Sequence, residues 1–202
     1  MGLRDRFNQL SGQTRFVVCR IFVHLAGQDV APLLGVLNQA GREVTRSDGD
    51  LQVLGEQLVR VCESLLEYEV FWRSAANEGD VTWDEGDAGD YVSELFTDSA
   101  GRYGSAIAES KGPDGPDGPD ALVISATPNV VVMLGVAFEG EAPELEGSLA
   151  DVEALRTGLQ ALINLHYRGV LRAIQIHFSP AQLGDQLTPD HLIEHFPELT
   201  PL

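Results

Sequence analysis

Between Thr14 and Leu25 the chain is apolar on both sides of a two-residue alternation: Phe16, Val18 and Phe22 fall on one side, Val17, Cys19, Ile21 and Val23 on the other. A strand with one apolar side can lie at a surface, whereas one apolar on both must be covered twice. The pattern therefore predicts a central strand in a sheet with material on both faces, a helix being the alternative for so short a run. Arg20 and His24 sit inside it, and Gly27 ends it.

A helical pattern follows from Asp29 to Thr45, with Pro32 near its start and Leu33, Leu34, Leu37 and Ala40 on one side. Ser47-Asp-Gly-Asp50 is turn chemistry. From Leu51 to about Ala76, Leu54, Leu58, Val61, Leu65 and Trp72 recur at helical spacing, and Tyr68, Phe71 and Trp72 read as packing residues. Residues 77–100 carry acids and no base. Their first half is Gly-rich and reads as irregular; the second, from about Ala88, reads as a helix with Tyr91, Val92, Leu95 and Phe96 inward. Gly-Pro-Asp repeated over 112–120 makes a solvated spacer.

Beyond it, Ala121–Ser125 extends briefly and Asn129–Glu139 forms a strand. Ser148 caps a helix with the stripe Leu149, Val152, Leu155, Leu159, Leu162 and Ile163, stopped by Gly169. Arg172–Phe178 alternates, with Ile174, Ile176 and Phe178 on one face and Gln175 and His177 on the other. Thr188-Pro-Asp190 opens a last short helix. Together these elements predict an α+β fold: a small, mostly antiparallel sheet of three strands, or four, with helices packed on it and a helical N-terminal half. One domain over 1–202 is expected, with a helix-rich part at 26–105, a flexible loop at 111–120 and a strand–helix–strand–helix part at 121–202.

Charge sets the partners. The 13 Lys and Arg against 31 Asp and Glu give −18, with a single lysine, Lys111. Affinity for phosphate backbones comes from cationic side chains, so the chain is a poor candidate for anionic lipid headgroups, and no nucleic-acid partner is expected. Solubility is the plain reading of the acidity; attraction to basic proteins is the functional one. Cys19 and Cys62 lie apart in apolar runs and read as buried thiols in a reducing compartment. No secretory leader, myristoylation pattern or bilayer-spanning run is present, which predicts a soluble cytoplasmic protein without an integral membrane segment.

The one motif with chemistry is His191-Leu-Ile-Glu194-His195. In a helix both imidazoles share a face and could reach a metal, with Glu194 as base. A third ligand would have to come from His166 or His177, and Pro197 stops the helix within about a turn. A capped surface helix is the plain reading. Asp84, Asp87 and Asp90, in the acidic stretch 78–98, lack the calcium-loop register and read as helix-start carboxylates. No nucleophile–base pair, phosphate loop or dinucleotide fingerprint appears, so no catalytic residue, metal ligand or cofactor is assigned.

The strand Val130–Gly140, the helix leading to a strand ending Phe178-Ser-Pro-Ala181, Gly184-Asp-Gln-Leu-Thr188, Phe196-Pro-Glu-Leu199 and the long helix closing on Phe71-Trp72 together carry a resemblance. They resemble the domain-of-unknown-function family 1517 of cyanobacteria and chloroplasts. The resemblance implies a phototroph, a cyanobacterium, and a role near photosynthetic physiology, and it brings no catalytic residues. Longer members have an N-terminal membrane span that this sequence does not show, so at most a peripheral place at thylakoid membranes is implied. The expected function is a non-catalytic protein-interaction or regulatory factor, with a homo-oligomer left open; the alternative is a metal-dependent hydrolase using His191, Glu194 and His195.

Overall fold

A computed structural model describes residues 13–110, 129–180 and 187–202. The elements run β1 (Phe16–Ala26), α1 (Ala31–Arg46), α2 (Leu51–Glu67), β2 (Trp72–Thr82), α3 (Glu85–Ser110), β3 (Asn129–Glu139), α4 (Pro143–Glu146), α5 (Val152–Tyr167), β4 (Leu171–Ser179), α6 (Pro189–His195) and β5 (Thr200–Pro201). The strands form one sheet in the order β4-β3-β1-β2-β5, every neighbouring pair antiparallel. The α+β class is as predicted. Five strands replace the expected three or four, and the N-terminal half holds β1 and β2 beside its helices.

β1 is the central strand its two apolar sides require. It pairs with β2 from Phe16↔Thr82 to Leu25↔Trp72 and with β3 from Phe16↔Glu139 to Ala26↔Asn129. Val17, Cys19, Ile21 and Val23 face a layer of α1, α2 and α5, where the main core lies. On the opposite face Phe16 and Val18 meet α3 through Ala88 and Leu95, and Phe22 meets Leu187 and Phe196.

In α1 the stripe Leu33, Leu34, Leu37 and Ala40 is buried as predicted. Gly35 and Gly41 each cost about 1 kcal/mol of helix propensity against alanine. Each buried leucine returns roughly 1.5–3 kcal/mol, so packing decides that this segment is helical. The buried face of α2 includes Leu58, Val61, Cys62 and Leu65.

The predicted continuation of that helix to Ala76 is overturned. α2 stops at Glu67, a single 3-10 turn spans Glu69–Phe71, and β2 begins at Trp72. Trp72 keeps its place in the core from the strand, and its indole donates to Leu65 O at 3.1 Å, a second donor to a helix-end carbonyl that also accepts from Tyr68 N at 3.1 Å. Spacing alone does not separate the two routes to the same core. Residues 77–82, read as irregular, are the outer half of β2; their polar pattern reflects an edge position, and pairing with β1 holds them in register.

Asp151, not Ser148, caps α5, accepting from Glu153 N at 3.0 Å and Ala154 N at 3.1 Å. Leu149 is buried ahead of that helix, and Gly169 closes it with φ 68° as predicted. α3 starts at Glu85 rather than Ala88, and Phe96, expected inside, is 51% exposed. The Gly-Pro-Asp repeat, Lys111 and Ala121–Ser125 lie outside the described residues. No helix among the described residues is long and apolar enough to cross a membrane.

Candidate functional site

The His191–Glu194–His195 pattern lies on α6, a helix of seven residues. Thr188 caps it, its hydroxyl accepting from His191 N at 3.2 Å, and the two imidazole centroids are 6.0 Å apart. Glu194 is exposed. The suggested third ligands are engaged elsewhere: His166 on α5 lies against Gly55 of α2, and His177 on β4 stacks edge-on with Phe96 at 5.3 Å. Among the described residues, no group of three or more His, Cys, Asp or Glu side chains could hold a metal ion.

A relay that the sequence did not announce lies within the sheet. His24 and Ser74 are register partners on β1 and β2, and Asn129 opens β3. Asn129 donates its amide to Leu187 O at 2.9 Å, which turns its Oδ1 toward His24 Nε2 at 3.1 Å. Nε2 therefore carries the imidazole proton, and Nδ1 accepts from the Ser74 hydroxyl at 2.8 Å. Burial pushes His24 below the usual histidine range; the Asn129 bond opposes that shift and Arg73 adds to it. Serine, histidine and asparagine in this order resemble an activated hydroxyl. All three side chains are buried, however, and what the relay does is tie three strands to Leu187. His24 as a polar interruption of β1 was the only signal in the sequence; register brings the other two to it.

Beside the relay, Arg20 lies 2% exposed in the middle of β1. Its guanidinium binds Glu78 on β2, Asp98 at 2.7 Å, Ser99 Oγ at 2.6 Å and Leu95 O at 3.1 Å on α3. Arg102 continues the chain, pairing with Asp98 at 2.9 Å and with Glu198, and donating to His195 O at 2.8 Å. This network clamps α3 and the C-terminal segment onto the sheet.

Where β2 turns into α3, a cleft of about 690 Å³ opens, lined by Asp80, Thr82, Trp83, Asp84, Asp87 and Tyr91 among others. Asp84 caps α3, its Oδ1 accepting from Gly86 N at 2.8 Å and Asp87 N at 3.1 Å. Asp80 accepts from Val81 N at 2.8 Å. Among the described residues, no ion pair takes Asp80, Asp84, Asp87 or Asp90, whereas Arg15, Arg20, Arg102, Arg156 and Arg172 pair with other acids. The field in the cleft is felt by Tyr91, whose phenol is pushed up by burial and then by Glu78 and Asp80. Two aromatic rings among uncompensated carboxylates make a setting for a cation.

Residues 15–202 match the family described as "Protein of unknown function (DUF1517)". The chain belongs to that family. Membership covers essentially the whole chain, including β1, the relay, the Arg20 network and the cleft. No curated protein and no solved structure matches the chain significantly.

Proposed function

We propose that this protein is a non-catalytic binding factor that takes a basic segment of another protein into the cleft between β2 and the start of α3. The observation that carries this reading is the set of cleft carboxylates, Asp80, Asp84 and Asp87, that no arginine among the described residues pairs with, placed around Trp83 and Tyr91. Like charges held together in one concavity raise each other's energy, and a lysine or arginine from a partner relieves that repulsion while its stem packs on the rings. The photosynthetic setting implied by the family resemblance belongs to the same proposal, with a basic surface of a protein in that apparatus as the partner.

Trp83 reports on the cleft directly. In a Trp72→Phe background it is the sole tryptophan, and titration with an octalysine peptide at low salt should change its emission. Asp80→Asn combined with Asp87→Asn should weaken that binding about tenfold, and 0.5 M salt should weaken it further. Binding that ignores both the salt and the double substitution sinks the reading.

A further inference from the structure

We infer that the outer edge of β2 at Gly79–Thr82 is a strand-addition site for an extended, alternating basic–apolar segment of a partner protein. This rests on the cleft reading above and adds the way in which the segment is held.

β2 pairs with β1 along its whole length, yet among the described residues its other edge carries β5 only at Ser74↔Pro201 and Ala75↔Thr200. Leu202 N donates to Arg73 O at 3.0 Å, so the backbone of Arg73, like that of Ala75, points away from β1. Backbone direction alternates along a strand, which turns Gly79 and Val81 outward too. Val81 agrees, because its amide is held by the neighbouring Asp80 carboxylate instead of by β1. A strand edge blunted by one carboxylate is ready to pair once that carboxylate finds a cation. Glu78, Gly79 and Asp80 are all exposed.

The two sides of this edge specify what is added. Toward α3 lies the acidic cleft of about 690 Å³ with Asp80, Asp84 and Asp87. On the other side, next to α4, is a smaller cleft of about 180 Å³ whose lining includes Val17, Gly79 and Leu145. Of the two carboxylates in its lining, Glu146 is already paired with Arg15 at 2.7 Å, and Asp80 is shared with the first cleft. Side chains of an added strand alternate between the faces, so cations would enter the first cleft and apolar side chains the second. Among the described residues the other open edge, β4, offers no such match: the strand carries no acid, and Glu139 of neighbouring β3 is paired with Arg172 at 2.8 Å.

The test uses the full chain and an alternating Lys-Val octapeptide, compared with its fully N-methylated counterpart, which keeps every charge but offers no amide donor. The unmodified peptide should bind about tenfold tighter or better. Amide exchange at Gly79 and Val81 should slow in its complex by about tenfold, as expected for newly paired edge amides. Equal affinity of the two peptides, or protection at Arg172–Ser179 in place of Gly79 and Val81, overturns strand addition and leaves the acidic cleft standing. Binding of neither peptide overturns both.

Discussion

Arg20 of β1 and Asp98 of α3 meet at 2.7 Å, the arginine side chain 3% exposed and the aspartate 43%. The charge that is out of water is thus the cation, and its carboxylate partners reach solvent. Burial acts to raise the Asp98 carboxyl, but the Arg20 and Arg102 guanidinia outweigh it and hold the group below the usual aspartate range.

That asymmetry orders two substitutions. Arg20→Met replaces the buried cation with an apolar chain and leaves Glu78 and Asp98 free to hydrate, at a cost of about 0–2 kcal/mol. Asp98→Ala strips a counter-ion from a guanidinium that stays buried and also loosens Arg102, at a cost of about 2–4 kcal/mol. Urea unfolding of both variants measures the order; Arg20→Met as the costlier change would contradict this account of the network.

Stability should fall on mild acidification. Burial lowers His24 and His177, with Arg73 and Arg20 respectively adding to the effect, so both are neutral when folded and protonate more readily when unfolded. Their contribution is fully present above the unfolded value of about 6.5 and is lost as pH drops through the folded values, by at most about 1.4 kcal/mol per pH unit for each histidine. Asp98 and Glu146 are lowered and contribute in the other window, losing their share only below about pH 4. Urea midpoints at pH 7.5, 6.5 and 5.5 should decline, and the decline should be shallower in His24→Gln. A flat profile over that range rules the histidine account out.

Three helices begin in the same way. Asp50, Asp84 and Asp151 each accept two backbone amides, at distances between 2.8 and 3.1 Å. Replacing any one by alanine should cost about 0.5–2 kcal/mol, and by asparagine much less. Thermal melts of the six variants check this. For Asp84 the asparagine variant also separates capping from charge, since it should keep the melting temperature while weakening the binding of a basic peptide.

Gly27 cannot become alanine cheaply. Its φ of +154° lies where other residues strain, and an added Cβ would stand 2.8 Å from Phe71 Cδ1. Gly27→Ala should destabilise by about 1–3 kcal/mol, and adding Phe71→Leu should recover only the contact part of that loss. Full recovery in the double variant would show that the backbone conformation is unstrained.

The sequence revealed what depends on local pattern. The two-sided strand β1, the α1 stripe, Gly169 as a helix stop and the Thr188 cap all follow from nearby residues. Trp72 misled because seven residues after Leu65 is a helical position, while the indole reaches the same core from a strand. Residues 77–82 were obscured by carrying edge polarity with no alternation to read. Of the relay only His24 showed, as a polar interruption of β1, because Ser74 and Asn129 meet it only through the register of β1 with β2 and β3. The cleft was half legible: its acids were visible as a charge run, but the side they share with Trp83 and Tyr91 depends on how β2 turns into α3.

The segment from Leu187 to Leu202 crosses one face of the sheet and docks on β2, so it can lace the molecule only after the strands beneath it have assembled. Until then Phe22, Ala76, Val131 and Met133 form an uncovered apolar stripe, and Ser74 and Ala75 add to an open strand edge. A nascent or nicked chain held at that stage is an aggregation-prone species built from native parts. Whatever loosens this segment would thus expose that stripe and that edge together, and lower the yield of soluble protein.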